Sequence, residues 1–206
     1  MWYPILIAAL TAYLLGNLNG SVCISSLVAN DDVRSHGSGN AGLTNFIRNY
    51  GMGGALLVIA IDVGKTAFAC LAGALILAPY GYYQEGLMLG AVAVSLGHDF
   101  PALLGFRGGK GILCGFTVAA VIDWRIAVVL LVFFFGAYLL TRFVSLGSIL
   151  GSVAFSVCFA VLHADKPWVM IGGIFLGLLA VFMHRKNIVR LLKGTESKTY
   201  LKKKTN

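Results

Sequence analysis

The stretch that decides the fold runs from Gly54 to Leu77 and reads GALLVIAIDVGKTAFACLAGALIL. Asp62 and Lys65 are the only charged residues in it. A helix that crosses the hydrocarbon core of a bilayer needs about 20 mostly apolar residues. This stretch is long enough and apolar enough, so it predicts a membrane-spanning helix.

The composition of the whole chain agrees with this stretch. Of its 206 residues, 58% are hydrophobic and 12% are Asp, Glu, Lys or Arg, and the mean hydropathy is +0.85. Soluble domains carry about 25% charged residues, so this chain has too little polar surface for a water-soluble particle. Composition excludes a soluble enzyme, a collagen-like chain and a disordered tail. We expect an all-α integral membrane protein that forms one polytopic domain over residues 1–206.

Seven segments are candidate spans, so we expect a helical bundle of about seven transmembrane segments. The candidates are residues 4–28, 54–77, 86–104, 112–122, 126–140, 144–162 and 168–183. The fourth candidate is too short to cross a bilayer alone. It must tilt, recruit flanking residues or form half of a re-entrant pair with its neighbour, and a count of five therefore stays open.

The distribution of Lys and Arg predicts how the bundle is oriented in the membrane. The chain has 16 Lys and Arg against 8 Asp and Glu, a formal net charge of +8, and such residues concentrate in cytoplasmic loops. With seven spans and a cytoplasmic C-terminus, all of the 16 fall inside except Arg125, Lys166 and the intramembrane Lys65. We expect the N-terminus outside and a cytoplasmic basic tail over residues 184–206. The tail ends in Lys202–Lys204, and it either touches anionic headgroups or is solvated.

Two glycine-rich segments lie beside basic residues on the predicted cytoplasmic side. Loop A is residues 36–42, HGSGNAG, and loop B is residues 105–111, GFRGGKG. Glycines let backbone N–H groups converge on an anion, Lys110 adds a charge, and a helix N-terminus that starts there favours phosphate. Arg48, shortly after loop A, can bind phosphate bidentately. Each loop alone also fits a tight turn or a capped helix start, but two on one face favour phosphate binding.

Five further polar residues lie within spans or at their ends. His98 lies where the third span reaches the cytoplasmic interface, and His184 and Asn187 share one side of the segment that leaves the last span. Each has a structural alternative, as an interfacial histidine or a helix cap. Asp62 and Lys65 lie three residues apart inside a span, where charge is costly and must face the bundle interior or a partner. We favour a structural intramembrane pair over direct catalysis.

Three blocks in this order resemble the signature of the bacterial PlsY family of acyl-phosphate:glycerol-3-phosphate acyltransferases. They are GSGNAGLTN at 37–45 with Arg48, GHDFP at 97–101 with FRGGKG at 106–111, and HRKNI at 184–188 with RLLKGTE at 190–196. DVGK at 62–65 and VSLGS at 144–148 also match, so the resemblance covers nearly the whole chain. The chain departs from the family pattern at Leu43 and at 112–114, positions that we expect to shape packing or the acyl groove.

The resemblance implies an enzyme that moves a fatty acyl group from acyl phosphate to the 1-hydroxyl of glycerol 3-phosphate. The products would be lysophosphatidate and phosphate, in the first acylation step of phospholipid synthesis. The enzyme would lie in the bacterial cytoplasmic (inner) membrane among membrane lipids, with its active site on the cytoplasmic face. No cofactor and no metal are implied, nucleic-acid binding is not indicated, and the oligomeric state stays open, a monomer included.

The resemblance also implies roles for individual residues. We expect catalytic roles for Ser38, Arg48, His98, Lys110, His184 and Asn187. We expect substrate or phosphate binding by Gly37, Gly39, Asn40, Gly42, Thr44, Asn45, Arg107, Gly108, Gly109, Gly111, Ser145, Ser148 and Glu196. The general base stays open between His98, His184 and a substrate phosphate.

Two other functions are weaker. A membrane carrier for an organic phosphate would place its site near the midplane between inverted repeats, and no second copy of the glycine loops is found in the sequence. A CDP-alcohol phosphotransferase would need an aspartate cluster at span ends, which the chain lacks. No histidine has Asp at the fifth position after it. The His-x4-Asp dyad of acyl-CoA-dependent acyltransferases is thus absent, which supports acyl phosphate as the donor.

Overall fold

The computed structural model describes residues 2–199, and every regular element in this range is a helix. The predicted all-α class is therefore confirmed. The helices are α1 (Trp2–Gly16), α2 (Gly20–Ala29), α3 (Leu43–Tyr50), α4 (Ala55–Leu77), α5 (Tyr83–Asp99), α6 (Ile112–Ile122), α7 (Trp124–Thr141), α8 (Val144–Leu162), α9 (Pro167–Met183) and α10 (Arg185–Leu192). The predicted basic end of the tail, Lys202–Lys204, lies outside the described residues.

Within the described residues, five helical segments are long and apolar enough to cross a membrane. They are Trp2–Ala29, Ala55–Tyr80, Tyr83–Leu104, Trp124–Thr141 and Val144–Leu162. Helices α9 and α10 pass the same test as a pair that bends by 53°, which raises the number to six. Helix α6 has 11 residues and a length of about 16 Å, half of the hydrocarbon core. Seven spans and the orientation of the termini stay predictions.

The chain divides into two compact units, the first ending at Ile122 and the second beginning at Asp123. In unit 1, α4 contacts α1, α2, α5 and α6. Small residues allow this packing: a Cβ atom added to Gly86 of α5 would collide with the carbonyl oxygen of Gly73 in α4. Such close backbone approach is how helices associate in lipid. The outward faces carry exposed apolar side chains such as Leu75.

A break divides the first span, which the sequence predicted as one continuous segment. Helix α1 ends at Gly16 and α2 begins at Gly20, which leaves backbone groups without helical partners. Lys65 Nζ of α4 donates to the carbonyl oxygens of Gly16 (3.3 Å) and Leu18 (2.6 Å), and Asp62 Oδ1 accepts from the Gly20 N–H (3.1 Å). The ion pair therefore satisfies both sides of the break.

An apolar cluster of unit 1 packs next to loop A. It joins Ile24 of α2, Phe46 of α3 and Val58 of α4 to Val33, just before the loop. Each of these four side chains is buried. Loop A is therefore held at both ends by packed helices.

Unit 2 contains α7 to α10. Helix α8 packs against α7 and α9, and α10 contacts both α8 and α9. Close approach again depends on glycine, because a Cβ atom on Gly147 of α8 would lie 2.6 Å from the carbonyl oxygen of Phe134 in α7. Ser145 and Ser148 are buried near the N-terminus of α8, and Ser145 contacts Glu196 in the segment that follows α10.

Candidate active site

The side chain of Asn45 organises loop A. It is 3% exposed, and its Nδ2 lies 2.9–3.1 Å from the carbonyl oxygens of Val33, His36 and Asn40. Its Oδ1 accepts from the Ser38 N–H at 3.0 Å. The whole amide is therefore used inside the loop, although the sequence analysis predicted that it binds substrate.

Glycine is required at the turn of loop A. Gly37 has φ of 57°, and a Cβ atom there would lie 2.5 Å from Asn45 Oδ1. A left-handed conformation of this kind is strained for residues with a side chain. The loop leaves Ser38 exposed, and Arg48 is exposed on α3.

Loops A and B contact each other directly. The Ala41 N–H of loop A donates to the Gly108 carbonyl oxygen of loop B at 3.3 Å, and Asn40 Nδ2 donates to the same oxygen at 3.4 Å. Arg34 adds a bridge, because its Nη1 donates to the carbonyl oxygens of Leu104 (2.7 Å) and Arg107 (3.2 Å). The two segments that the sequence assigned to phosphate thus form one surface of unit 1.

Loop B lies against the ring of His98. The Gly109 N–H donates to the His98 carbonyl oxygen at 3.0 Å. The position where a Cβ atom of Gly109 would stand is occupied by the His98 ring, with Nε2 closest and Cδ2 at 2.8 Å. Loop B therefore rests on His98 and leads into the N-terminus of α6, with Lys110 half-buried beside it.

A buried ionic group lies behind loop B. Asp62, Lys65 and His98 are 1%, 5% and 4% exposed. Lys65 Nζ lies 2.8 Å from Asp62 Oδ1 and 2.9 Å from His98 Nδ1. An ammonium group can only donate, so His98 Nδ1 accepts and the hydrogen of the neutral ring is on Nε2. The sequence predicted the Asp62–Lys65 pair but not its contact with His98.

The acidic residues before loop A have their own partners. Asp31 Oδ2 accepts from the Tyr50 hydroxyl at 2.8 Å and contacts His36 Nε2 at 2.7 Å. The hydrogen bond from Tyr50 is the main reason why the pKa of Asp31 is lowered, while burial and the same bond raise the pKa of Tyr50 to about 12. His36 is thus engaged away from the glycine surface.

In unit 2, the Glu196 carboxylate accepts hydrogen bonds from three side chains. Its Oε1 accepts from Ser145 Oγ and Asn187 Nδ2, both at 2.7 Å, and its Oε2 accepts from Arg190 Nε at 2.6 Å. Burial opposes ionisation, but the hydrogen bonds from Ser145, Arg190 and Asn187 outweigh it and lower the pKa of the carboxyl. A carboxylate repels phosphate, so this geometry favours an organising role for Glu196 over the substrate contact that the sequence predicted.

His184 occupies the break between α9 and α10. Its Nδ1 lies 2.8 Å from the Ala180 carbonyl oxygen. A carbonyl oxygen can only accept, so Nδ1 of His184 donates, whereas Nδ1 of His98 accepts.

Comparison of the whole sequence with known proteins identifies its family. A family model described as "Glycerol-3-phosphate acyltransferase" matches residues 6–194. The chain belongs to this family. Among its relatives, the glycerol-3-phosphate acyltransferase of Thermoanaerobacter sp. (strain X514) is 40% identical over 192 residues, 93% of this chain and 94% of the relative. Glycerol-3-phosphate acyltransferase 1 of Deinococcus radiodurans is 39% identical over 194 residues, covering 92% and 95% of the two chains.

Solved structures of the glycerol-3-phosphate acyltransferase family agree with this fold. The crystal structure of PlsY, described as an integral membrane glycerol 3-phosphate acyltransferase, in its glycerol 3-phosphate form is similar with a TM-score of 0.83 and 31% identity. That likeness covers 95% of this chain and 96% of the other. The lysophosphatidic acid form of PlsY gives 0.79 and 30%, with 95% of each chain covered. The protein is thus an acyltransferase and an integral membrane protein, as the sequence resemblance predicted.

Several residues that shape the acyltransferase site escaped the sequence analysis. Asn19 donates to the Ala41 carbonyl oxygen at 2.9 Å, Arg34 bridges the two loops, and Arg190 binds Glu196. Asp99 is buried behind Gly111, whose added Cβ would lie 3.3 Å from its Oδ1. Asn19 could have been found from the sequence, because a polar Asn inside a 25-residue apolar candidate span indicates a functional or structural role.

Among residues 2–199, no group of three or more His, Cys, Asp or Glu is arranged to hold a metal ion.

Proposed function

We propose that this protein transfers a fatty acyl group from acyl phosphate to the 1-hydroxyl of glycerol 3-phosphate, at the cytoplasmic face of a bacterial inner membrane. The products are lysophosphatidate and phosphate. The family supports acylation of glycerol 3-phosphate, because the relatives carry that name and PlsY was solved in glycerol 3-phosphate and lysophosphatidic acid forms. The missing His-x4-Asp dyad supports acyl phosphate over acyl-CoA as the donor.

One observation carries the phosphate-binding part of the proposal: loops A and B are hydrogen bonded to each other at the Gly108 carbonyl oxygen. This contact makes one surface from two glycine-rich segments, with the N-terminus of α6 at its edge. Backbone N–H groups and a helix N-terminus favour phosphate. Lys110, Arg48 and Arg107 supply cations, and Ser38 supplies a hydroxyl, so this surface holds the phosphate groups and the developing oxyanion.

Chemistry on this surface needs little acid catalysis. The 1-hydroxyl oxygen attacks the acyl carbonyl carbon, the bond from that carbon to the phosphate oxygen breaks, and phosphate departs with the bonding electrons. Phosphate is a good leaving group, so orientation of the hydroxyl and acceptance of its proton are the main requirements.

His98 does not accept that proton in this proposal. Its Nδ1 already accepts from Lys65, and its Nε2 carries hydrogen. His98 therefore acts as a donor to the substrate anion beside Gly109. His184 and an oxygen of the acyl phosphate are the remaining candidate acceptors. His184→Gln separates them: a loss of more than about tenfold in kcat identifies the histidine, since general-base catalysis contributes about 10²–10⁴-fold.

Unit 2 has its own polar group, which Glu196 organises. Ser145 and Asn187 are fixed by their hydrogen bonds to its Oε1. We assign Ser145, Ser148 and Asn187 to the orientation of glycerol and phosphate oxygens, and Glu196 to the positioning of Ser145 and Asn187. Seven spans, an external N-terminus and a cytoplasmic tail complete the proposed topology, which the distribution of Lys and Arg supports.

The test is phosphate release by the purified protein in detergent, supplied with palmitoyl phosphate and glycerol 3-phosphate without added metal. We expect release that depends on both substrates, with lysophosphatidate formed. Palmitoyl-CoA serves as the parallel donor, and equal or better use of it would overturn the donor assignment. Folded protein that turns over neither donor, yet carries glycerol 3-phosphate into liposomes, would overturn the enzyme proposal in favour of a carrier.

A further inference from the structure

The Lys65 side chain contacts three parts of unit 1. Its Nζ has three hydrogens, and the three shortest contacts are Leu18 O (2.6 Å), Asp62 Oδ1 (2.8 Å) and His98 Nδ1 (2.9 Å). These partners belong to the α1–α2 break, to α4 and to α5. One side chain therefore ties the break in the first span to the histidine that supports loop B.

The contact with His98 has a chemical consequence. A neutral imidazole carries its hydrogen on either nitrogen, and the bond made by one nitrogen sets the state of the other. Because Lys65 donates to Nδ1, the hydrogen is fixed on Nε2. Nε2 is the atom that lies closest to the missing Cβ position of Gly109. Both polar contacts of the ring within residues 2–199, to Lys65 and to Asp62, are made by Nδ1, so Nε2–H is directed at loop B.

We propose that Lys65 is a positioning residue for the acyl transfer, which acts through His98 by holding the ring tautomer that presents Nε2–H to loop B. This inference rests on the proposed function, in which loop B binds a substrate anion. It gives the intramembrane pair a role beyond helix packing. Lys65 Nζ pairs with Asp62 Oδ1, and Asp62 in turn holds the N-terminus of α2 through the Gly20 N–H.

The main test is Lys65→Met, which keeps most of the side-chain length and removes every donor. We expect kcat to fall about 10²-fold, the typical loss of one preorganised donor, with the KM for glycerol 3-phosphate within threefold. An interaction that acts only in the transition state lowers kcat and kcat/KM together. Lys166→Met, which removes a charge from the segment before α9, is the matched control and should keep full activity.

A second variant separates a loss of activity from a loss of folding, because it leaves no uncompensated buried charge. Asp62→Asn with Lys65→Met removes both charges, and the Asn oxygen can still accept from the Gly20 N–H. Removing one partner of a buried pair is strongly destabilising, whereas removing both charges is much better tolerated. We expect the double variant to retain a cooperative thermal transition and still to show the fall in kcat.

Two readouts separate positioning from a merely structural role. In a double-mutant cycle, Lys65→Met should cost less than twofold once His98→Gln is present, because residues that act as one unit are non-additive. In ¹⁵N spectra of protein labelled at its four histidines, the His98 ring should be Nε2-protonated in the wild type and should lose that single tautomer in Lys65→Met. His98→Gln identifies the signal.

The inference is overturned if Lys65→Met keeps its kcat, if the two losses multiply, or if the His98 tautomer is unchanged. These results are distinguishable from failure of the proposed function. A wild-type protein that does not acylate glycerol 3-phosphate would refute the reaction, whereas the tautomer measurement needs no turnover and would still decide whether Lys65 sets the state of His98.

Discussion

Replacing Gly109 with alanine tests whether loop B needs its contact with His98. A Cβ atom at this position would lie 2.8 Å from Cδ2 and 2.9 Å from Cε1 of the His98 ring, and closer still to Nε2. Carbon atoms prefer about 3.5–4.0 Å, so the loop or the ring must move by at least roughly 0.7 Å. The ring cannot retreat easily, because it is buried and held by Lys65.

A displacement of about 1 Å in a group that positions substrate can cost about 10²-fold in rate, which corresponds to about 2.7 kcal/mol in the barrier. We therefore expect Gly109→Ala to lower kcat/KM for glycerol 3-phosphate by about two orders of magnitude, measured as phosphate release with palmitoyl phosphate. Gly115→Ala is the control, because nothing lies within 4 Å of an added Cβ there. Activity of Gly109→Ala within threefold of the wild type, in folded protein, would refute the reasoning.

Three further changes test other parts of the site. Lys110→Ala should abolish turnover because it removes the cation of loop B next to the N-terminus of α6, and near-wild-type phosphate release would contradict the assignment of that loop. Arg125→Ala should leave activity within twofold, because Arg125 pairs with Asp123 on the predicted outer side; a large loss in the same assay would argue against the topology. Glu196→Gln should lower the melting temperature near pH 7. The native pKa of Glu196 is lowered, so its stabilisation is present above the unfolded value of about 4.3 and is lost as pH falls through the native pKa. A difference in melting temperature that persists undiminished in strong acid would contradict this role.

The helical class and the candidate loops were predictable because they depend on local composition. Apolar runs of sufficient length identify spans, and glycines beside Lys110 mark the segment that we propose binds phosphate. The roles of Asn45 and Glu196 were not predictable in this way. Their partners lie up to 51 residues away, as in the bond from Ser145 to Glu196, and a motif does not reveal whether a polar side chain faces the ligand or the protein.

The break between α1 and α2 was missed for a related reason. Hydropathy averages over a window, and two asparagines at 17 and 19 hardly change the mean of a 25-residue apolar segment. What ends α1 is tertiary: Lys65 and Asp62, more than 40 residues further on, bind the backbone groups that the break exposes. An interrupted membrane helix is stable only where such partners replace its lost hydrogen bonds.

Three polar residues inside the first three spans, Asn19, Lys65 and His98, connect to the loops, and this explains why a small membrane protein tolerates their cost. Asn19 caps α2 by accepting from the Val22 N–H and donates to the Ala41 carbonyl oxygen of loop A, while Lys65 reaches loop B through His98. Hydrogen bonds in a low dielectric are strong when they are complete. Glycine-rich loops lack side chains that could fix their conformation, so buried bonds to their backbone and neighbours must do so. The intramembrane polar residues therefore supply the rigidity that the flexible loop sequences cannot supply themselves.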